Sequence, residues 1–224
     1  MRIKAICFDL YGTLAYVKKP VNKNVASDFL IAHGYEVYPQ ALDAVWYFVS
    51  LVEYPKYGYK TWRTEIKRAM RRLDITIDKD TLKEFAELCE STEWKLFPDT
   101  EDAIDRAKKA GLRTAMVTTI AGFKWRGLHP ILQKIDLLVD GYKFHCEKSN
   151  PKIYLKTLEA LGVNAHEAVM IGDDIELDIK TPRRLNMKTI LLDRTGRFSS
   201  HSDCEDADAV VRNLNQAIET ALTL

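Results

Sequence analysis

Several short apolar runs along the chain stop abruptly at polar residues. Residues 3–9 (IKAICFD) close on Asp9 and are soon followed by Gly12, residues 112–119 (LRTAMVTT) close on two threonines, and residues 168–174 (AVMIGDD) close on two aspartates. Residues 189–193 (TILLD) repeat the pattern more weakly. A continuous apolar run of this length, bounded by turn residues, predicts a strand buried on both faces. Helical spacing falls between the runs, over 101–110 ended by Gly111, over 151–161 ended by Gly162, and over 213–222. Alternating strands and helices predict an α/β fold, a parallel sheet with helices on both faces. Such sheets bind ligands in the crevice beyond the carboxyl ends of their strands, and Asp9, Thr118 and Asp173 all fall at that edge.

Between residues 17 and 94 the alternation stops. Helical patterns run in succession over 22–32, 39–53, 59–73 and 79–94, separated by Gly34, by Pro55 and Gly58, and by residues 74–78. The chain therefore divides into a core of residues 1–16 and 95–224 and a four-helix insert over 17–94. That insert leaves and re-enters near the carboxyl edge of the sheet, where it can serve as a lid. Its aromatic residues Trp46, Tyr47, Phe48, Tyr54, Tyr57, Tyr59 and Trp62 are expected to pack its interior. Arg63, Lys67 and Arg71 share one helix face, with Arg68 and Arg72 beside it, and are expected in solvent.

Composition narrows the function classes. With 46% hydrophobic and 29% charged residues, the 224-residue chain can bury an ordinary globular core. Its 33 Lys and Arg against 32 Asp and Glu leave a net charge of +1, which gives no electrostatic footprint for nucleic acid or an anionic membrane. The most apolar stretch, 41–54, contains Asp43 and Glu53 and is too short to span a bilayer. The N-terminus lacks the pattern of a secretory signal. A cytoplasmic protein is expected, a monomer or homodimer acting on a small-molecule substrate. Cys7, Cys89, Cys146 and Cys204 lie far apart without a C-x-x-C pair, so reduced thiols are expected rather than a zinc site or disulfides. His33, His129, His145, His166 and His201 show no ligand spacing.

The chemistry lies at the strand ends. Phe8-Asp9-Leu10-Tyr11-Gly12-Thr13-Leu14 resembles motif I of the haloacid dehalogenase-like hydrolases, in which the first Asp of D-x-x-G-T attacks the substrate. Thr118 resembles motif II. Lys148, in Lys148-Ser149-Asn150-Pro151, resembles the motif III lysine ahead of a proline-opened helix, although the usual K-P-x-P lacks one proline here. Gly172-Asp173-Asp174-Ile175-Glu176-Leu177-Asp178 resembles motif IV; its four carboxylates in seven residues repel one another unless a cation relieves them. The resemblance covers nearly the whole chain and implies a Rossmann-like core with a C1-type helical cap. It also implies Asp9, Tyr11, Thr118 and Lys148 as catalytic residues, with Thr118 holding a substrate oxygen and Lys148 offsetting negative charge. Mg²⁺ would be held by Asp9, the Tyr11 backbone carbonyl and Asp173, with Asp178 behind them or as an alternate ligand. Gly12, Thr13, Thr119 and Tyr154 would lie at the substrate.

Two activities compete. Most phosphatases of this superfamily carry a second Asp where this chain has Tyr11, and a phenol with a pKa near ~10 is a poor general base at neutral pH. D-x-Y-G-T is the motif of the 2-haloacid dehalogenases, and Tyr154 agrees with them. Yet those enzymes grip the departing halide with an early cap arginine, and no Arg occurs here between Arg2 and Arg63. Gly172-Asp173-Asp174 is moreover a metal-dependent pattern, since Asp9 beside Asp173 in a crevice needs a cation. A Mg²⁺-dependent phosphatase working through an aspartyl phosphate is therefore expected, suited to leaving groups that depart without a proton, such as acyl phosphates. A 2-haloacid dehalogenase and a non-catalytic binding protein with a degenerate site are the alternatives.

Overall fold

The computed structural model describes residues 2–198 and 204–224; His201 lies outside them. The predicted apolar runs become β1 (Ala5–Phe8), β4 (Arg113–Val117), β6 (Ala168–Gly172) and β7 (Lys188–Leu192). Two shorter strands, β5 (Leu137–Val139) and β8 (Ala209–Val211), complete a six-stranded sheet of order β5-β4-β1-β6-β7-β8 whose strand pairs are all parallel. Alternation within each strand feeds two cores. Ile6, Phe8, Met116, Val169 and Ile171 face one side, where α6 (Thr100–Lys109) and α10 (Leu214–Ala221) pack through Ile104, Leu214 and Ile218. Ala5, Cys7, Ala115, Val117 and Met170 face the other, against Ile153, Tyr154 and Leu158 of α8 (Lys152–Leu161). The short side chains Ala5, Cys7 and Ala115 on that face let α8 approach and seat the large ring of Tyr154, which is completely buried.

β1 lies between β4 and β6, and the register pairs Phe8 with both Met116 and Ile171. The residues just past these pairs therefore emerge side by side at one sheet edge. The chain leaves that edge through β2 (Ala15–Val17) and returns through β3 (Trp94–Leu96), an antiparallel pair in which Val17 meets Trp94. This neck corrects one boundary. The helix expected to reach residue 94 is α5 (Lys79–Glu90), because Trp94 is drawn into the ladder instead.

Helices fill the chain between those two strands: α1 (Lys23–Ala32), α2 (Pro39–Tyr47), α3 (Tyr54–Tyr57), α4 (Trp62–Arg72) and α5. The helix expected to stop at residue 53 runs on to Tyr57, because a π turn over Phe48–Glu53 joins α2 to α3 and Pro55 falls in the first turn of α3, where its missing N–H is tolerated. Leu30, Leu42, Val49, Ile66, Met70 and Phe85 form a hydrophobic cluster of the insertion's own. The aromatic residues divide more evenly than expected. Tyr54 and Tyr59 are buried, but Tyr47, Phe48 and Tyr57 are exposed. The reason is an ion cluster beneath two of them. Glu53, buried, accepts from Arg68 Nε at 2.8 Å, from the Tyr59 hydroxyl at 2.8 Å and from Arg72. The Arg68 guanidinium lies 4.2 Å from the Tyr57 ring centre and that of Arg72 4.4 Å from Phe48. Burial alone would raise the Glu53 pKa, but these donors hold it below the ordinary value. Arg63, Lys67 and Arg71 are exposed, as their spacing suggested. All four cysteines are free and buried. No helix among the described residues is long and apolar enough to cross a membrane.

Two polar bridges tie the insertion to the core. Lys124 Nζ donates to Glu65 at 2.6 Å and to Ser50 Oγ at 3.3 Å, while the Tyr54 hydroxyl donates to Asp140 at 2.5 Å. Glu65 is fully buried and the Lys124 side chain is only 10% exposed, so removing the cation leaves a carboxylate without water or partner charge. Lys124→Ala is expected to destabilise the protein by about 3 kcal/mol, read as a lower urea midpoint at unchanged slope. A loss below about 0.5 kcal/mol would class the pair with ordinary surface ion pairs.

Candidate active site

Asp9 follows β1 directly, and its backbone N–H donates to the Ile171 carbonyl at 2.9 Å, so the β1–β6 ladder itself fixes where its side chain begins. On the other side the Thr118 amide donates to Val139 at 2.9 Å as β4 ends. Lys148 arrives on the loop between β5 and α8. Its side chain is 3% exposed, and its ammonium donates to Asp9 Oδ1 at 2.5 Å while also contacting Asp178 Oδ1 as an ion pair.

Asp178 reaches that point because the chain past β6 winds into a π turn over Ile175–Lys180. Asp174 caps the turn, its carboxylate accepting the Leu177 amide at 2.9 Å, and the Asp178 amide bonds back to the Asp174 carbonyl at 2.8 Å. Close approach then demands two glycines. A Cβ at Gly172 would stand 2.5 Å from Asp178 Cβ, and one at Gly12 would stand 2.6 Å from Asp173 Cγ. Gly12 also has φ +83°, a backbone region that side chains resist.

One carboxylate oxygen from each of Asp9, Asp173 and Asp178 lies within 4.8 Å of the others. Three carboxylates against one ammonium leave two formal negative charges in a site largely removed from water. Burial raises the Asp9 pKa, which Lys148 opposes without cancelling. Burial, then the nearby Asp9 charge, pushes Asp173 up to about 6. Burial likewise raises Asp178 against the pull of Lys148. Burial would lower Lys148 itself, but Asp178 and Asp9 outweigh it and hold the ammonium charged. Asp178 Oδ1 is buried and accepts no well-directed hydrogen bond. A set of hard oxygen donors with two uncompensated charges fits a divalent cation such as Mg²⁺.

A cavity of about 390 Å³ opens over this cluster, bordered by Asp9, Tyr11, Thr118, Thr119, Lys148 and the acidic turn from Asp173 to Asp178. The expected site residues thus converge with some exceptions. Tyr11 is 48% exposed, and its ring packs edge-on against Trp94 with centres 5.9 Å apart. Thr13 and Tyr154, expected at the substrate, are fully buried and do not border the cavity. The Tyr154 hydroxyl donates to the Leu177 carbonyl at 2.6 Å and so supports the acidic turn from behind. Gly12 contributes space for Asp173. Asp178 joins the cluster, whereas Asp174 of the same motif is exposed. Leu51, Ile120, Arg197 and Phe198 also border the cavity, and no spacing in the sequence marks them.

A family profile described as haloacid dehalogenase-like hydrolase matches residues 3–186. The chain belongs to this family. Among curated relatives it is 26% identical to a glyceraldehyde 3-phosphate phosphatase of Pyrococcus furiosus, over 97% of this chain and 92% of that protein. It is 40% identical to the human phospholysine phosphohistidine inorganic pyrophosphate phosphatase over a 78-residue stretch, which is 34% of this chain and spans only 28% of that protein. Among solved structures, a HAD phosphatase from Thermococcus onnurineus superposes with TM-score 0.67 at 20% identity, covering 97% of both chains. A 2-haloacid dehalogenase from Pseudomonas syringae pv. tomato superposes equally well, with TM-score 0.67 at 19% identity over 99% of this chain and 98% of that one. The fold of this family is therefore shared by phosphatases and dehalogenases alike. The chain is a hydrolase, and its curated relatives are named as phosphatases.

The raised Asp173 pKa has a sign that can be checked. An unfolded Asp gives up its proton near pH ~4, whereas in the fold Asp173 keeps it to about 6, so stability falls as pH rises across that window. With divalent ions chelated, the loss between pH 4 and 7 is expected to be about 2 kcal/mol, allowing for the partial exposure of Asp173. Thermal unfolding of chelated wild type and Asp173→Asn measures it: the variant, in which Asp9 and Asp178 still titrate, should lose less by about this amount, and Mg²⁺ should restore the wild type. Equal pH profiles for the two proteins would contradict the charge accounting.

Proposed function

We propose that this chain is a Mg²⁺-dependent phosphatase of small phosphorylated metabolites that works through an aspartyl phosphate on Asp9. The observation that carries the reading is the convergence of Asp9, Asp173 and Asp178 at the floor of a cavity, with Asp9 and Asp178 paired to one buried lysine. A dehalogenase needs no cation, and three carboxylates within 4.8 Å of one another are a costly arrangement to keep without one. Among the described residues the helical insertion contributes Leu51 to the cavity wall and no arginine that could hold a halide. The names of the curated relatives agree with phosphate chemistry.

Mg²⁺ would be held by Asp9, Asp173 and Asp178, with the Tyr11 carbonyl as a further oxygen, and when bound it neutralises these carboxylates and polarises a phosphoryl oxygen. Lys148 engages Asp9 Oδ1, which leaves Oδ2 to attack phosphorus. As that oxygen–phosphorus bond forms, the bond to the leaving oxygen breaks in line with it. The Thr118 and Thr119 hydroxyls border the same cavity and can donate to phosphoryl oxygens, and the Lys148 charge opposes the negative charge that accumulates. Water then attacks the aspartyl phosphate, releasing inorganic phosphate and regenerating Asp9. Tyr11 stands where a carboxylic acid would protonate the leaving alcohol. Its phenol is a weak substitute, so acyl and aryl phosphates, whose leaving groups depart as anions, turn over faster than alkyl esters. The insertion acts as the cap, placing Leu51 over the reacting centre.

Purified protein assayed with acetyl phosphate, p-nitrophenyl phosphate and 2-chloropropionate, each with Mg²⁺ or with EDTA, tests the reading. Phosphate release that requires Mg²⁺ is expected, and Asp9→Asn should lower it by at least about 10³-fold. Halide release without metal, in the absence of any phosphate release, would replace this function with dehalogenation.

A further inference from the structure

Just past β7, Thr195, Gly196 and Arg197 are exposed, but the backbone there is tied to the buried Asp193. The Asp193 carboxylate, fully buried, accepts the backbone amides of Arg197 and Phe198 at 2.9 Å each. Arg212 pairs with the same carboxylate and donates to the Phe198 carbonyl at 2.9 Å. Phe198 thereby becomes part of the cavity wall, with the Arg197 guanidinium 5.6 Å from its ring centre. One Arg197 nitrogen donates to the Asp173 backbone carbonyl at 3.2 Å, which brings the guanidinium to the rim of the acidic cluster.

Apart from Asp173, whose carboxylate also feels the Arg197 charge, the charged groups along the cavity have partners of their own. Lys148 is committed to Asp9 and Asp178, Asp174 to the Leu177 amide, and Glu176 to Lys180. Arg197 is the remaining cation of the wall, and its contacts among the described residues are a backbone carbonyl and an aromatic ring, not a carboxylate. Leu51, Ile120 and Phe198 supply the wall's apolar part. A guanidinium offers five donors in a fixed fork that suits a carboxylate or phosphate.

We propose that Arg197 is a specificity-determining residue that binds a second anionic group on the substrate, remote from the phosphoryl group transferred at Asp9. Substrates of this site are then small phosphate esters carrying a carboxylate or a second phosphate, held at one end by Lys148 and the Mg²⁺ that the acidic cluster would bind, and at the other by Arg197. This assignment rests on the phosphatase reading above.

Three esters of one carbon skeleton test it: 3-hydroxypropyl phosphate, 3-phosphooxypropanoate and propane-1,3-diol bisphosphate. Wild type is expected to favour one or both esters with a second anionic group over the hydroxyl-ended one, and the better of the two identifies the second group as carboxylate or phosphate. Arg197→Ala should lower that preference in kcat/KM by about tenfold or more, chiefly through KM, and Arg197→Lys should recover part of it. An equal loss on all three esters would mean that Arg197 only supports Asp173, and together with an unchanged preference it overturns the proposal. If wild type hydrolyses none of the three and releases no phosphate from acetyl phosphate either, the phosphatase reading fails. Calorimetric titration of the same esters into wild type and Arg197→Ala then judges the contact separately, and a wild type that binds all three alike, or a preference that survives the substitution, removes it.

Discussion

The buried ion contact of Lys148 with Asp9 and Asp178 is the interaction on which the site depends. Asp9, Asp178 and Lys148 are buried, so each charge must be answered largely by another within the protein or by a bound ion. One ammonium answers part of the charge of three carboxylates. The remainder sets the chemistry, because the same deficit that destabilises the empty cluster makes it select a divalent cation. A site of this kind trades stability for function, and the raised proton affinity of Asp173 is its physical trace.

The scaffold holds that unfavourable cluster together by distributing it over separate rigid elements. Asp9 is fixed by the central strand, Asp173 and Asp178 by the neighbouring strand and a π turn, and Lys148 by the loop leading into a helix on the sheet's other face. Behind the cluster, the hydroxyl of Tyr154 holds the carbonyl of Leu177, so a residue deep in the core steadies the acidic turn from the side away from the cavity. Small residues finish the arrangement, since neither Gly12 nor Gly172 could carry a side chain without displacing an aspartate.

The helical insertion joins this machinery through polar bridges as well as through its neck. Lys124, in the 3₁₀ helix that follows β4, and Asp140, just past the edge strand β5, grip Glu65, Ser50 and Tyr54. Leu51, next to Ser50, borders the cavity. The insertion's position and the composition of the cavity wall are thus linked through one short π turn, whose wider spacing also lets the helix continue past Pro55.

Much of this was legible in the chain alone. Apolar runs ending in Asp9, Thr118 and Asp173 announced a parallel sheet and its reactive edge, because strands buried on both faces leave an unbroken hydrophobic signal that stops where the chain leaves the sheet. Motif spacing carried Lys148 and the acidic turn as well. Three-residue strands such as β2, β5 and β8 left no comparable signal, since so few residues cannot establish a period, and β3 was hidden by a helical pattern that ran into Trp94. Only the tertiary structure could withdraw Thr13 and Tyr154 from the cavity, choose Asp178 over Asp174, and bring Leu51 and Arg197 to its wall. Those outcomes depend on contacts between residues distant in sequence, where side-chain direction and packing decide, and no local pattern encodes them.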